Sequence, residues 1–414
     1  MMRTARTLVV GVLLAGAAFA VPVTAQPATP GWVPTLPTSQ QSRQYLSAFA
    51  DGTAYTFDVG GSAITLWHSG DYGLAWDALT YLPAGISTFA EARFATDKIG
   101  YLIDFDRLFR TADGATAPDW TQLPGPAVVK GHSYNAYALG VTGTTVSIGG
   151  ADYGPLHVGC NTPTSVDVWS SHDAGRSWVT AKLPRDAYIS QVRYVDARDG
   201  VALAYETKPD GNPCEYIGET NSVYVTHDGG RHFTNVLHCA AQPQEICTAA
   251  AFFNPRELFI GRTDGTMAIS RDGGRSFHPG PDLPTLFGPQ PTHSHNDDGF
   301  WIQGFASAGQ MLYATTKLAG AYLSNDDGRT WTRENSCDSA FSLGIGEVAA
   351  FDYQRAIAGG PTCVATRTAA NLPADSSPVV LPQEPATTAP GVDWTGAAGG
   401  TTVSISSGRL LLRR

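Results

Sequence analysis

The sequence predicts an all-β fold, a single β-propeller of four-stranded blades. Eight blades are favoured, with seven as the alternative, and the last blade is closed by the N-terminal strand. Three observations predict this. An octapeptide recurs along the chain, a strand-like run precedes each copy, and no long run combines 3.6-residue periodicity with helical caps.

The octapeptide reads SHDAGRSW at Ser171–Trp178, THDGGRHF at Thr226–Phe233, SRDGGRSF at Ser270–Phe277 and SNDDGRTW at Ser324–Trp331. Ser69–Trp76 is a weaker copy, and Thr111–Gly114 keeps the front half before reaching Trp120 after an insertion. The central aspartates are Asp71, Asp113, Asp173, Asp228, Asp272 and Asp326, in steps of 42, 60, 55, 44 and 54 residues. Such steps suit one four-stranded blade per repeat plus variable loops.

Each part of the octapeptide has a physical task. The apolar and β-branched runs before it, such as Ser222-Val-Tyr224-Val225, read as strands. The aspartate carboxylate and the leading hydroxyl can accept backbone N–H groups further along the turn, and glycine supplies the positive φ. The closing Trp or Phe starts the next strand and buries a large apolar face. On these residues the pattern S-x-D-x-G-x-[ST]-[WF] resembles the Asp-box, or BNR, repeat of β-propellers. That repeat occurs in sialidases, glycosidases, the sortilin ectodomain and a photosystem II assembly factor. The resemblance implies that the six aspartates are structural staples, each joining the third and fourth strands of a blade away from the active centre. The family shares the box and not the chemistry. The Arg-Ile-Pro signature of sialidases has no counterpart, since Gly31–Phe57 contains only Arg43.

The blade count follows from the strands between boxes. Six blades carry a box. Glu347–Ala358 and Cys363–Thr368 read as a seventh without one. Trp394–Ala398, Thr401–Ser406 and Arg409–Leu412 read as three strands of an eighth. Gly31-Trp32-Val-Pro-Thr-Leu36-Pro37, which resembles Asp119–Pro124 and Ser177–Pro184, is expected to complete it. Asn371–Pro390, rich in Pro, Ala, Ser and Thr, reads as a loop.

The chain opens as a secretory signal peptide, with Arg3 and Arg6 before the apolar run Leu8–Ala20 and small residues at Val23-Thr24-Ala25. Cleavage after Ala25 leaves residues 26–414 as the propeller, a secreted monomer without a membrane span. It moves the formal charge from −10 to −12, since two arginines and no acids are lost. An acidic exported chain is a poor candidate for nucleic acid. Its six cysteines, Cys160, Cys214, Cys239, Cys247, Cys337 and Cys363, suggest disulfides. Six allow 15 pairings. Neighbouring loop positions favour Cys160–Cys214, Cys239–Cys247 and Cys337–Cys363. No CxxC spacing points to zinc, and no metal or cofactor is expected.

Long irregular segments fall on the face opposite the boxes: Asp152–Ser165, Glu206–Asn221, His238–Cys247, Pro284–Gly299 and Asn335–Gly344. Loops on a rigid scaffold carry binding surfaces. The most unusual polar run is Pro291-Thr-His293-Ser-His295-Asn-Asp297-Asp298. It could bind a divalent metal or serve as acid and base, or it could be a solvated loop whose Asx residues set up the next strand. His293, His295, Asp297, Asp298, Glu206 and Glu215 are the candidate binding residues. Loop-face acids, among them Asp104, Asp106, Glu219, Glu245 and Glu347, could supply the carboxylate pair of a glycoside hydrolase. No Walker loop, HExxH, GxSxG or EF-hand motif is present. Two functions follow: a non-catalytic propeller binding a protein or glycan through its loop face, or a carbohydrate-active hydrolase with an acid pair in the axial pocket.

Overall fold

The computed structural model describes residues 31–37, 43–60, 63–126, 134–154, 163–184, 187–207, 218–239, 246–281, 283, 301–316, 320–334, 347–359, 363–368, 394–398, 401–406 and 409–413. The expected leader, Met1–Ala25, lies outside them. Among them no helix is long and apolar enough to cross a membrane.

Seven four-stranded antiparallel sheets follow one another along Met1–Ala370. The first blade is Arg43–Ala48, Ala54–Gly60, Ala63–Ser69 and Asp77–Leu79; the second is Glu91–Phe94, Gly100–Asp104, Arg107–Thr111 and Thr121–Leu123. The third is Tyr134–Thr142, Thr145–Asp152, Ser165–Ser171 and Val179–Leu183; the fourth is Ala187–Tyr194, Gly200–Thr207, Gly218–Thr226 and Thr234–Cys239. The fifth is Cys247–Phe252, Leu258–Arg262, Met267–Ser270 and His278–Pro279; the sixth is Ile302–Ala308, Met311–Thr316, Gly320–Ser324 and Thr332–Glu334. The seventh takes Glu347–Ala350, Ala356–Gly359 and Cys363–Thr368 from one end of the chain and Gly31–Pro37 from the other.

The ring therefore has seven blades, which corrects the preference for eight. The N-terminal strand does close the last blade, but it pairs with Cys363–Thr368, from Gly31 opposite Thr368 to Pro37 opposite Cys363. The three strands expected to form an eighth blade, Trp394–Ala398, Thr401–Ser406 and Arg409–Arg413, pair only with one another, in a separate compact unit spanning Asn371–Arg414. With Gly31–Pro37 as the fourth strand beside Cys363–Thr368, the seventh sheet has its full four strands and leaves none to complete an eighth.

Seven apolar clusters fill the seams between successive blades, and each contains the aromatic residue that opens an outer strand. Trp120, Trp178, Phe233, Phe277 and Trp331 do this from the second to the sixth blade, and Trp76 from the first. Trp32 plays the same part for the seventh, 8% exposed against Tyr313 and Val348, with its Nε1 donating to Glu334 Oε2 at 2.9 Å. The seventh blade has an octapeptide's aromatic residue without its octapeptide. The reason is connectivity: its third and fourth strands come from opposite ends of the chain, so no turn joins them.

The octapeptides form hydrogen-bonded turns of one design. In the fifth blade Ser270 Oγ donates to Asp272 Oδ1 (2.8 Å) and accepts from Gly274 N (2.7 Å). Asp272 Oδ1 also accepts from the backbone of Arg275 (3.0 Å) and Ser276 (2.9 Å). In the second blade Thr111 keeps the hydroxyl part, with Asp113 Oδ1 at 2.9 Å and Ala115 N at 3.2 Å, while the insertion adds Asp119, which accepts from Thr111 Oγ1 (2.5 Å) and Ala112 N (2.9 Å). The turns also bond to the neighbouring first-to-second-strand turn, as in Gly229 N to Arg198 O (3.0 Å) and Gly273 N to Arg256 O (2.8 Å). Both sets of turns therefore share one face, called here the octapeptide face.

In the third, fourth and fifth blades the residue before the octapeptide aspartate links blades. His172 Nε2 bonds Gly229 O at 2.8 Å, His227 Nε2 bonds Gly273 O at 2.9 Å, and Arg271 Nη2 donates to Asp327 O at 2.9 Å. At the seam, Gly73 O accepts from Thr366 Oγ1 at 2.6 Å. Gly73 has φ +79, and a Cβ there would lie 2.7 Å from both Ile357 Cγ2 and Thr366 Oγ1. Both the backbone conformation and the close approach require glycine.

The turn carboxylates make stability depend on acid. Asp228 is lowered to about 2: slight burial opposes this, and bonds from the His232 side chain, the His232 amide and Thr226 outweigh it. Asp326 is also lowered to about 2, first by the Thr330 hydroxyl, against slight burial, and then by the Thr330 amide and Ser324. The folded state thus binds fewer protons than the unfolded chain between pH about 4 and about 2. The stabilisation is complete above that window and is lost as pH falls through it. Thermal unfolding should show Tm dropping across it, with a shallower slope in Asp228→Ala; an unchanged slope would remove Asp228 from the account.

Candidate functional site

The first strand of each blade is an inner sheet edge, so its outward N–H groups need partners. Aligned on these strands, seven residues form one tier: Tyr45, Glu91, Tyr137, Gln191, Thr248, Gln303 and Glu347. Two residues on, Ser47, Arg93, Leu139, Arg193, Ala250, Phe305 and Ala349 form a second. The first tier lines a cavity of about 290 Å³ on the side where the first strands begin, opposite the octapeptide face. Register shifts at Ala136/Ala138, Cys247/Ala249 and Ile302/Gly304 skip Tyr137, Thr248 and Gln303, all of which line it. A bulge is a local device for re-aiming a side chain.

Several axial side chains accept the edge amides of the next blade. Glu347 Oε2 accepts from Leu46 N (2.9 Å), Glu91 Oε2 from Leu139 N (3.2 Å) and Gln191 Oε1 from Ala250 N (2.8 Å). Arg93 lies between the two glutamates. Its Nε donates to Glu91 Oε1 (2.6 Å), its Nη2 to Glu347 Oε1 (2.5 Å) and its Nη1 to Glu347 Oε2 (3.2 Å). Arg193 is held more loosely, with Nη2 3.6 Å from Glu347 Oε1 and Nη1 donating to Phe305 O at 3.2 Å.

This cluster separates the two carboxylates electrostatically. Burial raises the pKa of Glu91; Arg93 offsets it only in part, and Glu347 adds to the rise. Burial also opposes ionisation of Glu347, but Arg93 and Arg193, with bonds from Arg93 and Leu46, outweigh it and hold that carboxyl below its ordinary value. Burial, then repulsion from Arg93, lowers Arg193.

Of the sequence-predicted residues, the structure places Glu347 in the axial cluster. Glu206 lies in the strand Gly200–Thr207, opposite Thr220. His293, His295, Asp297, Asp298 and Glu215 lie outside the described residues, as do Cys160, Cys214 and Cys337. Cys363 pairs through its backbone with Pro37. Cys239 and Cys247 are joined by a disulfide, their Cα atoms 5.9 Å apart. Asp104 is fully buried, accepting from Ser87 N (3.2 Å) and Oγ (2.5 Å) and paired with Arg107. It fastens a loop and is not free to act on a ligand. Among the described residues no group of three or more His, Cys, Asp or Glu could hold a metal ion.

Sequence reasoning missed Glu91, Arg93 and Arg193. A signal was present, since Glu91-Ala-Arg93 and Gln191-Val-Arg193 repeat one pattern at the same place in two blades.

No family model matches the chain, and no curated protein does. Solved structures do match. YCF48 from Cyanidioschyzon merolae superposes with a TM-score of 0.52 at 13% identity, over 82% of this chain and 98% of that one. The likeness is one of fold. The WD40 β-propeller domain of Doa1 gives 0.53 at 10% identity, over 82% and 97%. The extracellular domain of BT4673, a putative one-component system of B. thetaiotaomicron, gives 0.52 at 11%, over 81% of this chain and 40% of that one. YCF48 has also been solved bound to a D1 peptide, and that structure matches at 13% identity with a TM-score of 0.52.

Proposed function

We propose that this chain is an exported Asp-box propeller, released by removal of Met1–Ala25, that binds a protein segment over the axial mouth of its loop face without catalysis. The observation that carries the reading is the state of the two axial glutamates. Glu347 accepts two hydrogen bonds from Arg93 and one from Leu46 N, and Glu91 accepts one from Arg93 and one from Leu139 N. Carboxylates so engaged serve the scaffold and are poorly placed to transfer a proton or attack a sugar. Around them the cavity presents hydroxyl and amide groups on Tyr45, Tyr137, Gln191, Thr248 and Gln303. Gln303 Oε1 is buried with no hydrogen-bond partner among the described residues, an acceptor suited to a backbone N–H of a bound segment. The loops carrying His293, His295, Asp297, Asp298 and Glu215, tied by disulfides, with Glu206 at the end of its strand, would add to the rim.

A peptide array and a glycan array probed with purified protein test this. Peptide hits should lose roughly tenfold or more in affinity with Gln303→Ala, the scale of one buried hydrogen bond left unmade. Glycan hits alone, or peptide hits indifferent to Gln303, would overturn it.

The raised Glu91 and the lowered Glu347 favour a second reading, a hydrolase with Glu91 as acid and Glu347 as base. Turnover of chromogenic glycosides that Glu91→Gln abolishes would establish it in place of the first.

A further inference from the structure

The charged tier does not fill the channel to the octapeptide face. Beyond it lies a second cavity of about 370 Å³, lined at the ends of the first strands by Phe49, Val141, Phe252, Phe253 and Phe305, with Arg93 and Arg193 as its floor. Its volume falls in the range of small-ligand pockets, roughly 300–1,000 Å³. The loop-side cavity does not explain this combination. Both linings are mostly polar, but here Phe49, Val141, Phe252, Phe253 and Phe305 stand beside the guanidinium pair.

The two arginines are not equivalent. Arg93 is taken up by both glutamates. Arg193 lines both cavities, its side chain is 25% exposed, and among the described residues it donates one hydrogen bond, to Phe305 O. A guanidinium has five N–H donors in a planar fork that matches a carboxylate. Burial and the neighbouring Arg93 work against its charge, a penalty that an added anion would relieve.

We infer that the octapeptide side of the channel is a small-molecule site for a monocarboxylate with an apolar body, its carboxylate on Arg193 and its aliphatic or aromatic part against Phe49, Val141 and Phe252. The site lies on the other side of the arginine tier from the proposed protein-binding mouth and shares Arg93, Leu139 and Arg193 with it.

The test uses the full chain and 3-phenylpropionate as probe, with 3-phenylpropanamide as the neutral control, measured by calorimetric titration. The expected result is saturable one-to-one binding of the acid, at least tenfold weaker binding of the amide, and loss of acid binding in Arg193→Gln. Arg193→Lys should retain part of the affinity. Ala349→Trp, which fills this cavity only, should also abolish binding, while Gln303→Ala, which lines the other cavity only, should leave it unchanged. Circular dichroism melts show whether each variant is folded. Folded Arg193→Gln that binds the acid as well as wild type, equal affinity for acid and amide, or no binding to wild type would each overturn the assignment. None of these outcomes bears on peptide binding at the opposite mouth, so the two readings fail separately.

Discussion

Arg93→Ala is expected to destabilise the propeller by about 3–5 kcal/mol, the cost of removing one partner from a buried ion pair. The loss comes less from missing attraction than from what remains. Glu91 and Glu347, whose side chains are only 6% and 15% exposed, would lie close together without a cation between them. Each also holds an edge amide of another blade, Leu139 N and Leu46 N, so the disturbance reaches two seams of the ring. Urea unfolding followed by tryptophan fluorescence measures the effect. Replacing all four groups together, as Arg93→Met and Arg193→Met with Glu91→Gln and Glu347→Gln, should recover much of the stability, because no buried charge is left unpaired. If the single variant loses less than about 1 kcal/mol, the cluster is not the axial tie described above.

Trp32→Ala is expected to cost a similar amount, about 3–5 kcal/mol, from the cavity left by a buried aromatic residue. It also leaves Glu334 with one donor fewer, although Arg367 Nε (2.7 Å) and Nη2 (2.9 Å) still bond it. The loss should appear first at the seam, as faster amide exchange in Gly31–Pro37 and Cys363–Thr368 than in the pairing of the fourth blade. Uniform loss of protection around the ring would show that the seam opens no earlier than the rest. Trp32→Phe should restore most of the protection, since the ring still fills the space between Tyr313 and Val348.

Much of the fold was legible because the octapeptide encodes its own geometry. Ser270, Asp272 and Gly274 close their turn with bonds spanning at most four residues, so the motif means the same thing in each blade. The seventh blade was harder to count. Its strands Glu347–Ala350 and Ala356–Gly359 are only four residues long, and its third and fourth strands meet through pairing over more than three hundred residues. The phrase Gly31-Trp32 announced an outer strand correctly. Which third strand it would join depended on packing against Tyr313, and local sequence does not contain that.

The axial cluster was less legible for a related reason. Glu91, Arg93, Arg193 and Glu347 are far apart in the chain, and each sits in a short run that reads as an ordinary strand. Only closure of the ring brings the second, fourth and seventh blades to one point. Attention to long loops led to His293 and His295, where irregular sequence stands out. The repeated Glu/Gln-x-Arg pattern would have shown instead which strands carry charge toward the axis.

The seam also has a mechanical direction. Gly31 lies opposite Thr368 at one end of the seam, and Pro37 lies opposite Cys363 at the other. A pull applied through Gly31 and Thr368 in opposite directions therefore loads the ladder at one end and peels it a pair at a time. It does not strain all six paired positions at once, as shear along the strands would. The propeller is thus held shut against sliding far more firmly than against unzipping, and Trp32, next to the loaded end, is the first large side chain such a peel would have to extract.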